Sequence, residues 1–93
     1  STQDILAARP NYLSVYPNPV DRFTPLSLSL SGVFPGYSGN WELYDNLGRR
    51  VATQQIIAGG TQEVTLDGLP KGMYFWTLLD QGRLMNQGKI VVR

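Results

Sequence analysis

Leu66-Asp67-Gly68-Leu69-Pro70-Lys71-Gly72-Met73-Tyr74-Phe75-Trp76-Thr77-Leu78-Leu79-Asp80 decides the fold class. A turn built from Asp67-Gly68 and Pro70-Lys71-Gly72 feeds the most apolar run of the chain, and Asp80-Gln81-Gly82 closes it. Tyr74 to Leu79 is rich in aromatic and strand-favouring side chains and is too short between its turns for a helix. The run reads as the central strand of an all-β domain. Tyr74, Trp76 and Leu78 share one face, while Met73, Phe75, Thr77 and Leu79 share the other, so both faces are expected to need cover.

Working outward, Pro25-Leu26-Ser27-Leu28-Ser29-Leu30-Ser31 alternates strictly, which turns the leucines to a core and the serines to water. Tyr12 to Tyr16 is a short edge strand, stopped by Pro17-Asn18-Pro19, a rigid corner that is either a plain strand exit or a recognised feature. Gly32 to Asn40 reads as a loop whose Phe34 and Tyr37 either tuck under the sheets or form a binding surface. Trp41 and Leu43 alternate with Glu42 and Tyr44 ahead of Asp45-Asn46-Leu47-Gly48, a turn in which Gly48 can take positive φ. Arg50 to Ala58 returns as a polar strand suited to an exposed or edge position. Val64 and Leu66 share a face, and so do Ile90 and Val92.

The pattern predicts seven strands, near 12–16, 25–31, 41–45, 50–58, 62–66, 72–80 and 84–93, the spacing of a β-sandwich of antiparallel strands. The expected core is Leu28, Trp41, Leu43, Val64, Leu66, Tyr74, Trp76, Leu78, Ile90 and Val92. Residues 1–11 lack alternation and read as a linker or the remnant of a preceding domain, with a fragment of helix at Asp4 to Arg9. Residues 12–93 form the domain. Ser1 stands where an initiator methionine or signal peptide would begin, which leads us to expect a piece of a longer polypeptide.

Ninety-three residues make one small domain, and the absence of cysteine leaves apolar burial and sheet hydrogen bonds to hold it. Eight Lys and Arg against seven Asp and Glu give a net charge of +1 without a basic run, which argues against nucleic acid as a partner. No apolar stretch approaches the roughly 20 residues of a transmembrane helix. With neither histidine nor cysteine, the commonest general base, metal ligand and thiol nucleophile are missing, so no catalytic residue, metal ligand or cofactor is assigned. Asp45 and Asn46 lack the alternating oxygen ligands of an EF-hand loop and read as turn caps in preference to calcium ligands. Trp41, Trp76, Tyr37 and Tyr44 read as core in preference to a sugar-binding face.

Four stretches carry a resemblance: Val15-Tyr16-Pro17-Asn18-Pro19, Leu43-Tyr44-Asp45-Asn46-Leu47-Gly48-Arg49-Arg50-Val51, Leu69-Pro70-Lys71-Gly72-Met73-Tyr74-Phe75-Trp76 and Gly88-Lys89-Ile90-Val91-Val92-Arg93. In this order and spacing, over residues 12–93, the chain resembles the type A C-terminal sorting domain of the bacterial type IX secretion system. The final Arg93, in place of an apolar residue, is a small departure that bears on the extent of the last strand.

The resemblance implies an immunoglobulin-like sandwich that acts as a folded, non-catalytic secretion signal. It implies passage of an upstream cargo domain through the periplasm, engagement by shuttle proteins and the outer-membrane translocon, and removal by a cell-surface sortase that can attach cargo to lipopolysaccharide. The cargo then stays on the cell surface or is secreted. A folded signal is read from exposed turns and open strand edges. Recognition residues are therefore expected at Pro17, Asn18, Pro19, Asp45, Gly48, Arg49, Lys71, Gly72, Lys89 and Arg93, with Gly48 and Gly72 holding backbone shape. The competing readings are a carbohydrate-binding module and an immunoglobulin-like spacer of a secreted enzyme.

Overall fold

The structure, a computed structural model, describes residues 12–31, 33 and 36–93. The linker and helix-fragment readings of residues 1–11 and the placement of Phe34 lie outside the described residues. Seven strands follow in order: β1 (Leu13–Tyr16), β2 (Leu26–Leu30), β3 (Ser38–Tyr44), β4 (Arg50–Ile57), β5 (Thr61–Val64), β6 (Gly72–Asp80) and β7 (Arg83–Val92). They form two antiparallel sheets, one ordered β1-β2-β5 and the other β4-β3-β6-β7. The described chain is all-β, and its two sheets match an immunoglobulin-like sandwich.

Alternation in the sequence becomes the interior. Leu26, Leu28 and Leu30 of β2 meet Trp41, Leu43, Tyr74, Trp76, Leu78, Ile90 and Val92 of the facing sheet in one buried cluster, joined by Val64 and Leu66. Each fully buried Ile or Val side chain contributes about 1.5–3 kcal/mol relative to exposure. Tyr37 is buried as well, the tucked alternative for that loop residue. Ile56 is fully buried although β4 is the polar edge strand of its sheet.

Two boundaries differ from the sequence pattern by more than one residue. β3 begins at Ser38 and not Trp41, because Ser38, Gly39 and Asn40 pair with Ile57, Ile56 and Gln55. Partner hydrogen bonds hold a segment whose small polar residues read locally as loop. β5 ends at Val64 and not Leu66, whose side chain is still buried beyond the ladder.

β6 lies inside its sheet between β3 and β7; one face is buried at Tyr74, Trp76 and Leu78, whereas the other is open at Met73 and Phe75 and half-buried at Thr77 and Leu79. Met73 and Phe75 are 43% and 44% exposed, which overturns the expectation that both faces are packed. On the inner face the Tyr74 hydroxyl donates to the Pro70 carbonyl at 2.5 Å, the tyrosine corner that fixes the entry of this strand in immunoglobulin-like sandwiches. Trp76, 7% exposed, lies opposite Gly88 of β7. A Cβ at Gly88 would come within 2.7–2.8 Å of the indole ring, so glycine there makes room for the tryptophan. The two sheets are also joined through Asn86 of β7, whose buried Oδ1 accepts from the backbone N–H groups of Tyr12 at 2.7 Å and Leu13 at 3.1 Å.

Trp76→Ala is expected to cost about 3–5 kcal/mol through lost burial and an unfilled cavity. Gly88→Ala should cost about 1–3 kcal/mol by overpacking against the ring. Adding Gly88→Ala to the Trp76→Ala chain should then cost little, because contacting sites couple. Urea unfolding of the four proteins checks this, and additive losses would show that the ring and Gly88 do not compete for space.

Candidate functional site

After β1 the chain leaves the three-stranded sheet through Pro17-Asn18-Pro19, with both the Tyr16-Pro17 and Asn18-Pro19 peptides cis, and lands beside β7 of the other sheet. Val20, fully buried, pairs in parallel with Val92. The Val20 N–H donates to the Val91 carbonyl at 2.9 Å, the Arg93 N–H to the Val20 carbonyl at 2.8 Å and the Arg22 N–H to the Arg93 carbonyl at 3.2 Å. Before this contact the Asn18 side chain does the work of a neighbouring peptide. Its Nδ2 donates to the Lys89 carbonyl and its Oδ1 accepts from the Val91 N–H, each at 3.1 Å.

This strap covers the outer edge of β7 at Lys89 to Arg93. The backbone of Lys89 to Val92 has β6 on one side, and residues 18–22 bond this end of the chain on the other, leaving the Lys89 and Arg93 side chains, and not a free ladder, at the surface. Nothing in the local sequence at Val20 and Arg22 signals this role, since one buried valine between Pro19 and Asp21 has no periodicity to read.

The turn from β3 to β4 is built on Asp45. Its Oδ1 accepts from the N–H groups of Leu47 and Arg49, both at 2.9 Å, and its Oδ2 accepts from Arg49 Nε at 2.8 Å. Gly48 completes the turn at φ +83°, in the left-handed region. The Arg49 N–H is the main cause that holds the Asp45 carboxyl below its ordinary value, helped by the Arg49 side chain and the Leu47 N–H against a smaller opposing effect of burial. With these donors Asp45 is a turn cap, and among the described residues no group of three or more His, Cys, Asp or Glu could hold a metal ion.

Beside this turn lies the Pro70-Lys71-Gly72 corner, and a cleft of about 450 Å³ opens between them. Asp45, Arg49, Arg50, Lys71, Gly72 and Met73 line it with Tyr74. Gly72 in turn pairs with Val92, next to Arg93 and the strap. The Pro17-Asn18-Pro19 corner, the Asp45 to Arg49 turn, the Lys71-Gly72 corner and the end of β7, far apart in sequence, thus meet at one end of the sandwich. The aromatic platform considered for sugar is not assembled from Trp41, Trp76 and Tyr37, all of which are buried.

Sheet order, the tyrosine corner and the strap define an immunoglobulin-like β-sandwich module. Its sequence matches the family model described as the secretion system C-terminal sorting domain over residues 14–93, and the chain belongs to that family, the C-terminal sorting signals of type IX secretion. Members are sorting signals and not catalytic domains, and membership implies export to the cell surface or secretion. Comparison with curated proteins and with solved structures gave no match.

Asn18→Ala is expected to lower stability by about 1–2 kcal/mol, the net worth of its two hydrogen bonds to β7, measured by urea unfolding. An unchanged midpoint would show that the strap holds without the amide. Asp45 gives a pH signature. Its folded pKa lies below the ordinary 3.8, so its stabilisation is present above that value and disappears as pH falls through the folded pKa. The acid-side fall of the urea midpoint should therefore be shallower in Asp45→Asn, and identical pH profiles would contradict this role.

Proposed function

We propose that the chain is a sorting signal read in its folded form by the type IX machinery at the end of the sandwich where the four sequence stretches meet. The convergence of these stretches is the observation that carries the reading. Cargo fused ahead of the domain crosses the periplasm, is engaged through shuttle and translocon proteins, and is released when a cell-surface sortase cuts upstream of residue 12.

The residues divide by task. Pro17, Asn18 and Pro19 shape the strap, Gly48 and Gly72 shape the two corners, and Asp45 fixes Arg49 by its charge. Lys71, Lys89 and Arg93 have exposed side chains that form no ion pair with a described residue, and they present charge to a partner.

A reporter fused ahead of the chain in a type IX-secreting bacterium should reach the surface or the medium, with mass spectrometry placing the new terminus upstream of residue 12. Retention of this fusion in the periplasm would overturn the reading. Lys89→Glu with Arg93→Glu should leave folding nearly intact, because exposed charges matter by less than about 1 kcal/mol, yet trap the reporter in the periplasm. Normal export of the folded double variant would remove this pair from the signal.

A further inference from the structure

The outward faces of the two sheets differ in a way that folding does not require. On the three-stranded sheet, Ser14, Ser27, Ser29, Thr61 and Glu63 stand on the face away from the core, with Tyr16 among them. A solvated sheet face is ordinarily polar in this manner. On the four-stranded sheet, Arg50, Tyr44, Phe75 and Lys89 stand directly opposite one another across all four strands. The adjoining pair is Met73 and Val91. Phe75, Met73 and Val91 are 44%, 43% and 37% exposed, so the row forms a contiguous apolar strip with a cation at each end. Single exposed apolar residues are unremarkable, whereas a contiguous set with a polar rim marks an interaction surface.

Charge states what fits there. Glu42 accepts from the Tyr44 hydroxyl at 2.6 Å and from Arg50 Nη1 at 2.9 Å, and Asp45 is held by Arg49 and the turn backbone, so both flanking carboxylates are engaged. Lys89 at one end of the strip and Lys71 in the adjoining cleft form no ion pair with a described residue. Met73 belongs both to the strip and to the cleft wall, making the two one continuous surface.

We propose that the outer face of the four-stranded sheet, with Phe75, Met73 and Val91 as its apolar centre and Lys71 and Lys89 at its rim, is the docking surface for a protein of the secretion machinery. The matching surface of that protein is apolar at its centre and acidic around it. The inference rests on the sorting-signal reading and adds to it the face and the chemistry of the partner. Truncating the central anchors of an interface has a larger effect than changing peripheral contacts.

The test is reporter export by the full chain in a type IX-secreting bacterium, with thermal unfolding of each purified variant. Met73→Ser with Phe75→Ser should lower export by about tenfold or more, the effect of losing central anchors, while the folding transition stays close to that of the parent. If serine weakens the strand, Met73→Thr with Phe75→Thr keeps strand preference and replaces it. Ile57→Ser with Leu84→Ser, equally exposed apolar residues toward the other end of the sheet, should export as the parent does. Parental export by the folded Met73 and Phe75 variant overturns the docking surface, as does an equal loss in the Ile57 and Leu84 pair. Sedimentation showing a dimer of the parent that Phe75→Ser dissociates also overturns it, by assigning the face to a second copy. Failure of the unmutated fusion to be exported instead removes the sorting reading itself.

Discussion

The change of sheet between Tyr16 and Val20 is the constraint on which the rest of the structure depends. β1 pairs with β2 in one sheet, and four residues after its end Val20 is buried against Val92 at the edge of the other. One short segment therefore ties the layers together and caps the edge of β7, which would otherwise expose a row of unpaired peptide groups. The Asn18 amide makes the change of direction possible by bonding Lys89 and Val91 before the backbone itself can reach them. Because the strap ends beside Arg93, and Gly72 pairs with Val92, the same constraint gathers the motif residues at one end.

Electrostatics at that end separates charges that hold shape from charges that pair with no described residue. Arg49 is used by Asp45, and Arg50 is used by Glu42, whose carboxyl is held below its usual range first by the Tyr44 hydroxyl and then by Arg50. These pairs are exposed on their arginine side, so they contribute geometry more than stability. Lys71 and Lys89 are not consumed in this way. On the proposed reading a folded signal uses both kinds, since a rigid frame lowers the ordering cost of association and unpaired cations favour a complementary partner.

Packing on the inner face of β6 has a matching division. Tyr74 and Trp76 are locked by the Pro70 carbonyl and by the space above Gly88, whereas Phe75 and Met73, alternate residues of the same strand, are left half-exposed. The strand thus joins core and surface: its buried residues define where its exposed ones stand. Displacement of Trp76 would move the apolar strip as well as weaken the fold.

Alternation was enough to place the inward leucines of β2, the Trp41 and Leu43 pair and the Tyr74, Trp76 and Leu78 face, because a period of two determines which side chains share a sheet face. Turn chemistry located the Asp45 to Gly48 and Pro70 to Gly72 corners for a similarly local reason: glycine and Asx residues act within a few positions of themselves. The motif stretches could be named one by one, but not seen to meet. Their meeting is set by long-range pairing, Val20 with Val92 and Gly72 with Val92, in which neither partner carries a local signal of the other. The same holds for Ser38 to Asn40, which are strand because β4 supplies the hydrogen bonds, and for Met73 and Phe75, whose apolar character predicted burial. Sequence by itself determined which residues alternate and where the chain turns. Only the tertiary structure decided which strand faces are covered and which edges are paired, because cover and pairing are supplied by residues distant along the chain.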